Sequence, residues 1–236
     1  MHIGTSGWSY DDWSKRFYPK NLKSNKWIIY YSKHFNTVEL NMSFYRFPSK
    51  KVLEGWYKKL PADFKMTVKA SRRITHFKKL KNIDDLLNAF YKRVSHLKDK
   101  LGCILFQLPP SLKYDKNLLN KFLENLDNRR NNVIEFRDES WWNKNTYSLL
   151  EKYNTSFCVV SGLDMPDDVK ITSNLSYFRF HGPYKAYASK YSESQLKKWA
   201  QKIKKTKNKC GSVYCYFNND FRGYAVKNAK KLKDLI

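Results

Sequence analysis

Three pairs of polar residues, each spaced i and i+2 within an apolar run, carry the clearest chemical signal in the chain. They are Glu39 with Asn41, Glu135 with Arg137, and Arg179 with His181. Along a strand successive side chains alternate faces, so both members of each pair point the same way. The residues between them, Leu40, Phe136 and Phe180, point the other way and can pack against a helix layer. Carboxylates, guanidinium groups and an imidazole on one shared face can hold an anion or move a proton. Buried charge of this kind is costly unless it is paired or used. An inter-strand ion-pair network, with Glu39 or Glu135 against Lys69, Arg137 or Arg179, is the structural alternative.

Other polar residues fall at the same positions of neighbouring runs. Lys69 ends one run, and the loop behind it carries Arg72, Arg73, Thr75, His76, Lys78 and Lys79. Gln107 ends another and is followed by Pro109 and Pro110. Asn218, Asn219 and Asp220 close the last, and Trp8, Tyr10, Phe44, Tyr45, Trp141, Trp142 and Tyr184 add aromatic surface. Arginine suits bidentate phosphate contact, and aromatic faces can stack bases or sugars. The carboxylates could also serve glycoside hydrolysis, where their separation sets the stereochemistry. His76 and His181 with a carboxylate could bind a metal, but two histidines without a spaced ligand motif name none. There is no dinucleotide or P-loop glycine pattern to name a cofactor. Ser6 lacks a nucleophile elbow.

Eight strand-like runs must position these residues: His2–Gly7, Thr37–Asn41, Phe64–Ala70, Gly102–Gln107, Val133–Arg137, Ser156–Ser161, Tyr177–His181 and Ser212–Asn218. Amphipathic, Lys-rich helical patterns separate most of them, over Asn25–His34, Lys50–Lys59, Ile83–Lys98, Lys116–Leu126, Lys144–Tyr153, Glu193–Lys205 and Tyr224–Leu235. Ile83, Leu86, Leu87, Phe90, Val94 and Leu97 form a helical stripe. Asp115 and Ser192 sit where N-caps belong. Alternating strands and helices predict a parallel sheet with right-handed crossovers. Eight units in 236 residues predict one (β/α)8 barrel domain over 1–236, with an open doubly wound sheet as the alternative. The sixth unit is irregular: Gly162–Asn174 holds Pro166 and three Asp and shows no helical pattern.

Composition narrows the partners. The net charge is +25, which favours polyanions such as nucleic acid or phosphorylated ligands. Lys outnumbers Arg 36 to 10, as AT-rich coding would also produce. That bias would raise Glu as well, yet only seven Glu occur, so part of the excess is chemical. No apolar run approaches the roughly 20 residues of a bilayer span. With no leader pattern at the start, the expected compartment is the cytoplasm. Cys103, Cys158, Cys210 and Cys215 lie in or beside strand-like runs without C-x-x-C spacing, so reduced thiols are expected.

At these residues the chain resembles the YecE-like family, the domain of unknown function numbered 72. The resemblance begins with Gly4-Thr5-Ser6-Gly7-Trp8-Ser9-Tyr10, Trp13 and Phe17-Tyr18-Pro19. It continues through Phe35-Asn36-Thr37-Val38-Glu39-Leu40-Asn41, Ser43-Phe44-Tyr45, Pro48, Lys69 and Ile74-Thr75-His76. Phe106-Gln107-Leu108-Pro109-Pro110, Glu135-Phe136-Arg137 with Ser140-Trp141, Arg179-Phe180-His181-Gly182 and Tyr216-Phe217-Asn218-Asn219-Asp220 complete it. The resemblance implies a (β/α)8 barrel and no particular reaction.

The expectation is a barrel whose C-terminal mouth takes a phosphate-bearing ligand, nucleic acid by preference. Glu39 or Glu135 would act as base, and His181 or His76 as acid. Arg137, Arg179 and Lys69 would hold the anion. Asn41, Gln107, Asn218, Asn219, Asp220, Trp8, Tyr45 and Trp141 would contact or orient the ligand. A sugar hydrolase or isomerase, and a nucleic-acid-binding barrel without turnover, are the alternatives.

Overall fold

A computed structural model describes residues 1–236. Eight parallel strands form one sheet: β1 His2–Thr5, β2 Thr37–Leu40, β3 Lys65–Lys69, β4 Leu101–Gln107, β5 Asn132–Glu135, β6 Ser156–Ser161, β7 Leu175–Phe180 and β8 Ser212–Phe217. From β2 to β8 each strand pairs with its sequence neighbour, and β1 pairs with β8, from His2 beside Tyr214 to Thr5 beside Phe217. The sheet thus curls into a nearly closed barrel. Seven helices pack outside: α1 Trp27–Ser32, α3 Lys50–Lys59, α4 Asp84–Val94, α5 Lys116–Glu124, α6 Lys144–Lys152, α7 Glu193–Lys207 and α8 Tyr224–Leu235. A single turn, α2 Met42–Tyr45, follows β2. The predicted runs are recovered with ends shifted by a few residues. Asp115 caps α5 by accepting from the Leu118 amide, and Ser192 caps α7 in a reciprocal box with Gln195. No helix follows β6, as the Pro and Asp content of Gly162–Asn174 implied.

One seam is irregular. Between β1 and β2 the regular ladder is replaced by one bridge, Ser6 beside Glu39, with the Gly7 amide donating to the Glu39 carbonyl at 2.8 Å. Below it the buried Tyr31 hydroxyl of α1 stands between the strands. It accepts from the Thr5 amide at 2.9 Å and donates to the Thr37 carbonyl at 3.1 Å. Gly4 makes room for this: a Cβ there would lie 2.2 Å from the Thr37 carbonyl oxygen.

Alternation along the strands divides the core in two. Leu40, Phe136, Phe180 and Phe217 face the helices in the larger apolar layer. Cys103, Leu105, Val133, Cys158, Val160, Leu175, Tyr177, Tyr214 and Tyr216 fill the barrel interior. The Tyr216 hydroxyl meets Thr37 Oγ1 at 2.6 Å and Thr67 Oγ1 at 2.8 Å, so its polar end is satisfied inside the barrel. All four cysteines are free, three of them buried. No helix is long and apolar enough to cross a membrane.

Candidate functional site at the barrel mouth

The inward position next above Tyr177 on β7 is Arg179, and on this level the barrel floor becomes charged. Arg179 is sealed from solvent and spans the interior. One terminal nitrogen reaches Glu135 Oε2 at 2.5 Å and the other reaches Glu39 Oε1 at 2.7 Å. Both carboxylates are fully buried as well. Glu39 is completed by the Ser6 hydroxyl at 2.6 Å and the Tyr177 hydroxyl at 2.5 Å. Glu135 also takes the Arg137 guanidinium. Burial alone would raise the Glu135 carboxyl, but Arg137 and Arg179 outweigh it and hold it well below the usual range. Arg179 shows the converse balance: burial opposes its charge, and Glu135 and Glu39 keep it protonated.

His181 continues the network upward. Its Nδ1 faces the Asn218 amide nitrogen at 3.2 Å, and its Nε2 lies 3.5 Å from Glu135 Oε1. With that amide donating, the ring proton sits on Nε2 and points to the carboxylate. Burial first, then Arg179, lowers its pKa to about 4, so the ring is neutral at pH 7. His76 is lowered to about 4 by burial, helped by Lys69 and Arg137. Its Nδ1 pairs with Thr75 Oγ1 at 2.9 Å, and its ring meets Phe44 edge-on at 4.8 Å.

Lys69 ends β3 and is partly buried. Its ammonium lies 4.1 Å from the Phe44 ring centroid and has no hydrogen-bond acceptor or carboxylate within ion-pair distance. Burial, then Arg179, lowers its pKa to about 8, although Glu135 and Glu39 pull the other way. The mouth therefore sets three cations, Lys69, Arg137 and Arg179, against two carboxylates. Arg137 keeps a 13% exposed side chain, so it and Lys69 are the cations a ligand can reach.

The remaining expected contacts divide. Gln107 lies beside Glu135 in the β4–β5 register, its amide donating to the Leu108 carbonyl at 2.9 Å. Asn41 and Trp8 line a small cavity of about 210 Å³ with Tyr10 and Met42, and Asn41 Oδ1 has no partner. Tyr45 is 70% exposed and brackets the Arg72 guanidinium with Phe77. Asp220 carries a carboxyl raised by burial, and its backbone carbonyl accepts from Trp13 Nε1 at 2.9 Å.

Two residues expected on the rim are sealed elsewhere. Trp141 stacks on Phe136 at 4.7 Å and donates to the Leu112 carbonyl at 2.7 Å, so the turn after β5 folds outward under the helices. Asn219 is fully buried, tying the Ser189 carbonyl at 2.8 Å to Asn228 at 3.0 Å. Neither presents a surface to a ligand. Conversely, Tyr177 and Ser6 belong to the charged cluster without having been singled out for it. Tyr177 is two residues before Arg179, so the same alternation that places Arg179 inside places it there too.

The chain matches the family described as Protein of unknown function DUF72 over residues 2–236. The UPF0759 protein YunF of Bacillus subtilis is 26% identical over the whole chain and 94% of its own length. The UPF0759 protein YecE of Escherichia coli is 30% identical over 145 residues, 61% of this chain and 51% of that one. Among solved structures, the DUF72 family protein TM1631 of Thermotoga maritima is 30% identical and superposes with a TM-score of 0.90 over 99% of this chain and 98% of its own. A second, EF0366 of Enterococcus faecalis, is 20% identical with a TM-score of 0.86 and shares the fold. Sequence and architecture thus agree from His2 to the last helix, and the chain belongs to the DUF72 family.

Proposed function

We propose that the barrel mouth holds a phosphate-bearing ligand and is the site of an enzyme acting on it. The observation that carries this reading is the unmatched charge. Arg179 is consumed by Glu39 and Glu135, which leaves Lys69 without a counter-ion beside the half-committed Arg137. A desolvated ammonium next to a guanidinium attracts an anion strongly, because little water screens it. Within this reading Lys69 and Arg137 take the phosphate, Asn41 and Asn218 orient the ligand, and Arg179 holds the floor together. His181, neutral with Nδ1 taken by Asn218 and its Nε2 proton aimed at Glu135, braces the floor, and Glu39 and Glu135 act as fixed counter-charges. Calorimetric titration with inorganic phosphate tests it. Arg137→Ala should weaken binding by about 2 kcal/mol, roughly thirtyfold. Unchanged affinity would place the anion elsewhere.

Nucleic acid is the form of ligand favoured by the charge of +25 and by the exposed Tyr45, Arg72 and Phe77 stack beside the mouth. Its test is the salt dependence of oligonucleotide binding, with an expected log–log slope of about −3 or steeper. Lys69, Arg72 and Arg73 changed together to Ala should flatten that slope. Three Lys→Ala changes on α7, at Lys197, Lys204 and Lys205, should do so much less. Equal effects would reduce the binding to general surface charge.

A further inference from the structure

We propose that Lys69 is a nucleophilic amine that forms an imine with a carbonyl group of a phosphate-bearing ligand seated in the mouth. The inference rests on the anion-holding reading above and adds a covalent step to it.

Its foundation is the setting of one side chain. Most lysines of this chain are on the surface, in water. Lys69 instead ends a barrel strand with its nitrogen against the Phe44 ring, 4.1 Å from the centroid. No carbonyl, hydroxyl or carboxylate fixes the ammonium, although Glu39 and Glu135 stand in the same mouth. Both are already bound, Glu39 by Arg179, Ser6 and Tyr177, and Glu135 by Arg179 and Arg137. The charges acting on Lys69 are then Arg179 and Arg137 against Glu135 and Glu39, and burial with the guanidinium groups outweighs the carboxylates. His76, which shares the Phe44 ring, is neutral.

Removal from water, neighbouring cations and no hydrogen-bond acceptor favour the nucleophilic free amine of a lysine, and here they act against the attraction that the Phe44 face offers an ammonium. A lysine devoted to a structural ion pair would be placed against one of the carboxylates, and Lys100 shows the other structural use. Its nitrogen is capped by the Tyr57 and Leu60 carbonyls, both at 2.5 Å. Lys69 has neither arrangement. With its pKa near 8, about one Lys69 in ten is the free amine at pH 7, against roughly one in three thousand for an ordinary lysine.

The step balances without a further reagent. The free amine attacks the carbonyl carbon, and the protons of the ammonium pass to the carbonyl oxygen, which leaves as water. The ammonium and the carbonyl compound become a protonated imine plus one water, with the single positive charge conserved. The neutral His76 ring, which also contacts Phe44 and feels the Lys69 charge, can carry the proton between nitrogen and oxygen. Arg137 holds the phosphate of the same ligand.

Pyridoxal 5′-phosphate is the probe, because it joins an aldehyde to a phosphate. The full chain is mixed with one equivalent, reduced with borohydride, and mapped by peptide mass spectrometry. The expected result is modification concentrated on Lys69, saturating at one per chain and suppressed by excess inorganic phosphate. Lys69→Arg, which keeps the charge but forms no imine, should remove that modification and leave the slow labelling of surface lysines unchanged. Label scattered over surface lysines with none on Lys69 would overturn the inference. If phosphate still bound through Arg137 in that case, the anion reading would survive alone. Labelling of Lys69 that is equally fast with phosphate-free pyridoxal and insensitive to added phosphate would uphold the amine and overturn the phosphate-bearing ligand.

Discussion

Arg179 and Glu135 meet at 2.5 Å in the floor of the barrel mouth, with both side chains sealed from water. The contact crosses from β7 to β5, and the same guanidinium reaches β2 through Glu39. A buried charge that loses its partner is strongly destabilising, whereas removal of all the charges together need not be. Arg179→Met should therefore lower unfolding free energy by about 3–5 kcal/mol in urea denaturation. Adding Glu39→Gln and Glu135→Gln to it should restore much of that loss. A single variant as stable as the parent would mean that the three charges do not depend on one another.

Acid should weaken the fold in two stages. His181 titrates near 4 when folded and near 6.5 when unfolded, so the unfolded chain binds the extra proton between those values. Stability should thus fall as pH drops from 6.5 towards 4, by about 3 kcal/mol from this residue at most. The Glu135 carboxyl is depressed, so its contribution is present above the unfolded carboxylate range and is lost as pH falls further. Urea melts at closely spaced pH values would separate the stages. His181→Gln should shrink the upper stage and leave the lower one, the rest of the upper stage coming from His76 and His2, which are lowered to about 4 as well.

Lys69 should leave its own mark on the alkaline side. Its folded pKa of about 8 lies below the unfolded 10.5, so the unfolded state holds the proton more firmly between the two. Across that window the parent should gain stability relative to Lys69→Met, on top of a fall that both share because burial raises the Cys103, Cys158 and Cys215 thiols. Parallel curves for the parent and Lys69→Met from pH 8 to 10.5 would contradict the desolvated amine.

Gly4→Ala should disturb the β1–β2 seam, because the added methyl would fall 2.2 Å from the Thr37 carbonyl oxygen. Overpacking of this kind costs about 1–3 kcal/mol. Tyr31→Phe should act on the same seam by leaving the Thr5 amide without its acceptor. Amide hydrogen exchange should report both changes at Thr5 and Gly7 before it reports them in β4 or β5.

Much of this architecture is legible in the chain itself. Period-two alternation around Leu40, Phe136 and Phe180 is enough to turn Glu39, Glu135 and Arg179 inward, because a strand has only two faces. The missing helix after β6 follows from Pro166 and its Asp neighbours. The partnerships are less legible. Arg179 lies 44 residues from Glu135 and 140 from Glu39, and nothing local selects these partners over Lys69 or Arg137. The charge states follow from burial, so the neutral His181 and the free Lys69 emerge only with the packed barrel. Trp141 and Asn219 show the opposite limit. Their sequence neighbours reach the mouth, but short turns direct these two side chains into the helix layer, and a turn has no period to reveal it.

The Tyr31 hydroxyl and the Ser6–Glu39 bridge join the second strand to the first, while the first finds its ladder only on the eighth. The first strand therefore waits for a strand some two hundred residues later before its backbone is satisfied. Pairings of such long sequence separation form slowly, since the loop they close must be ordered first. Glu39 sits on this seam, and its partner Arg179 comes from the penultimate strand. Arg179 can meet Glu135 once β5 to β7 are paired, but it meets Glu39 of β2 only when the sheet curls round on itself. The charge balance of the mouth is thereby a late event in folding, and a chain arrested before β8 carries every functional side chain up to Arg179 and His181 without possessing the site.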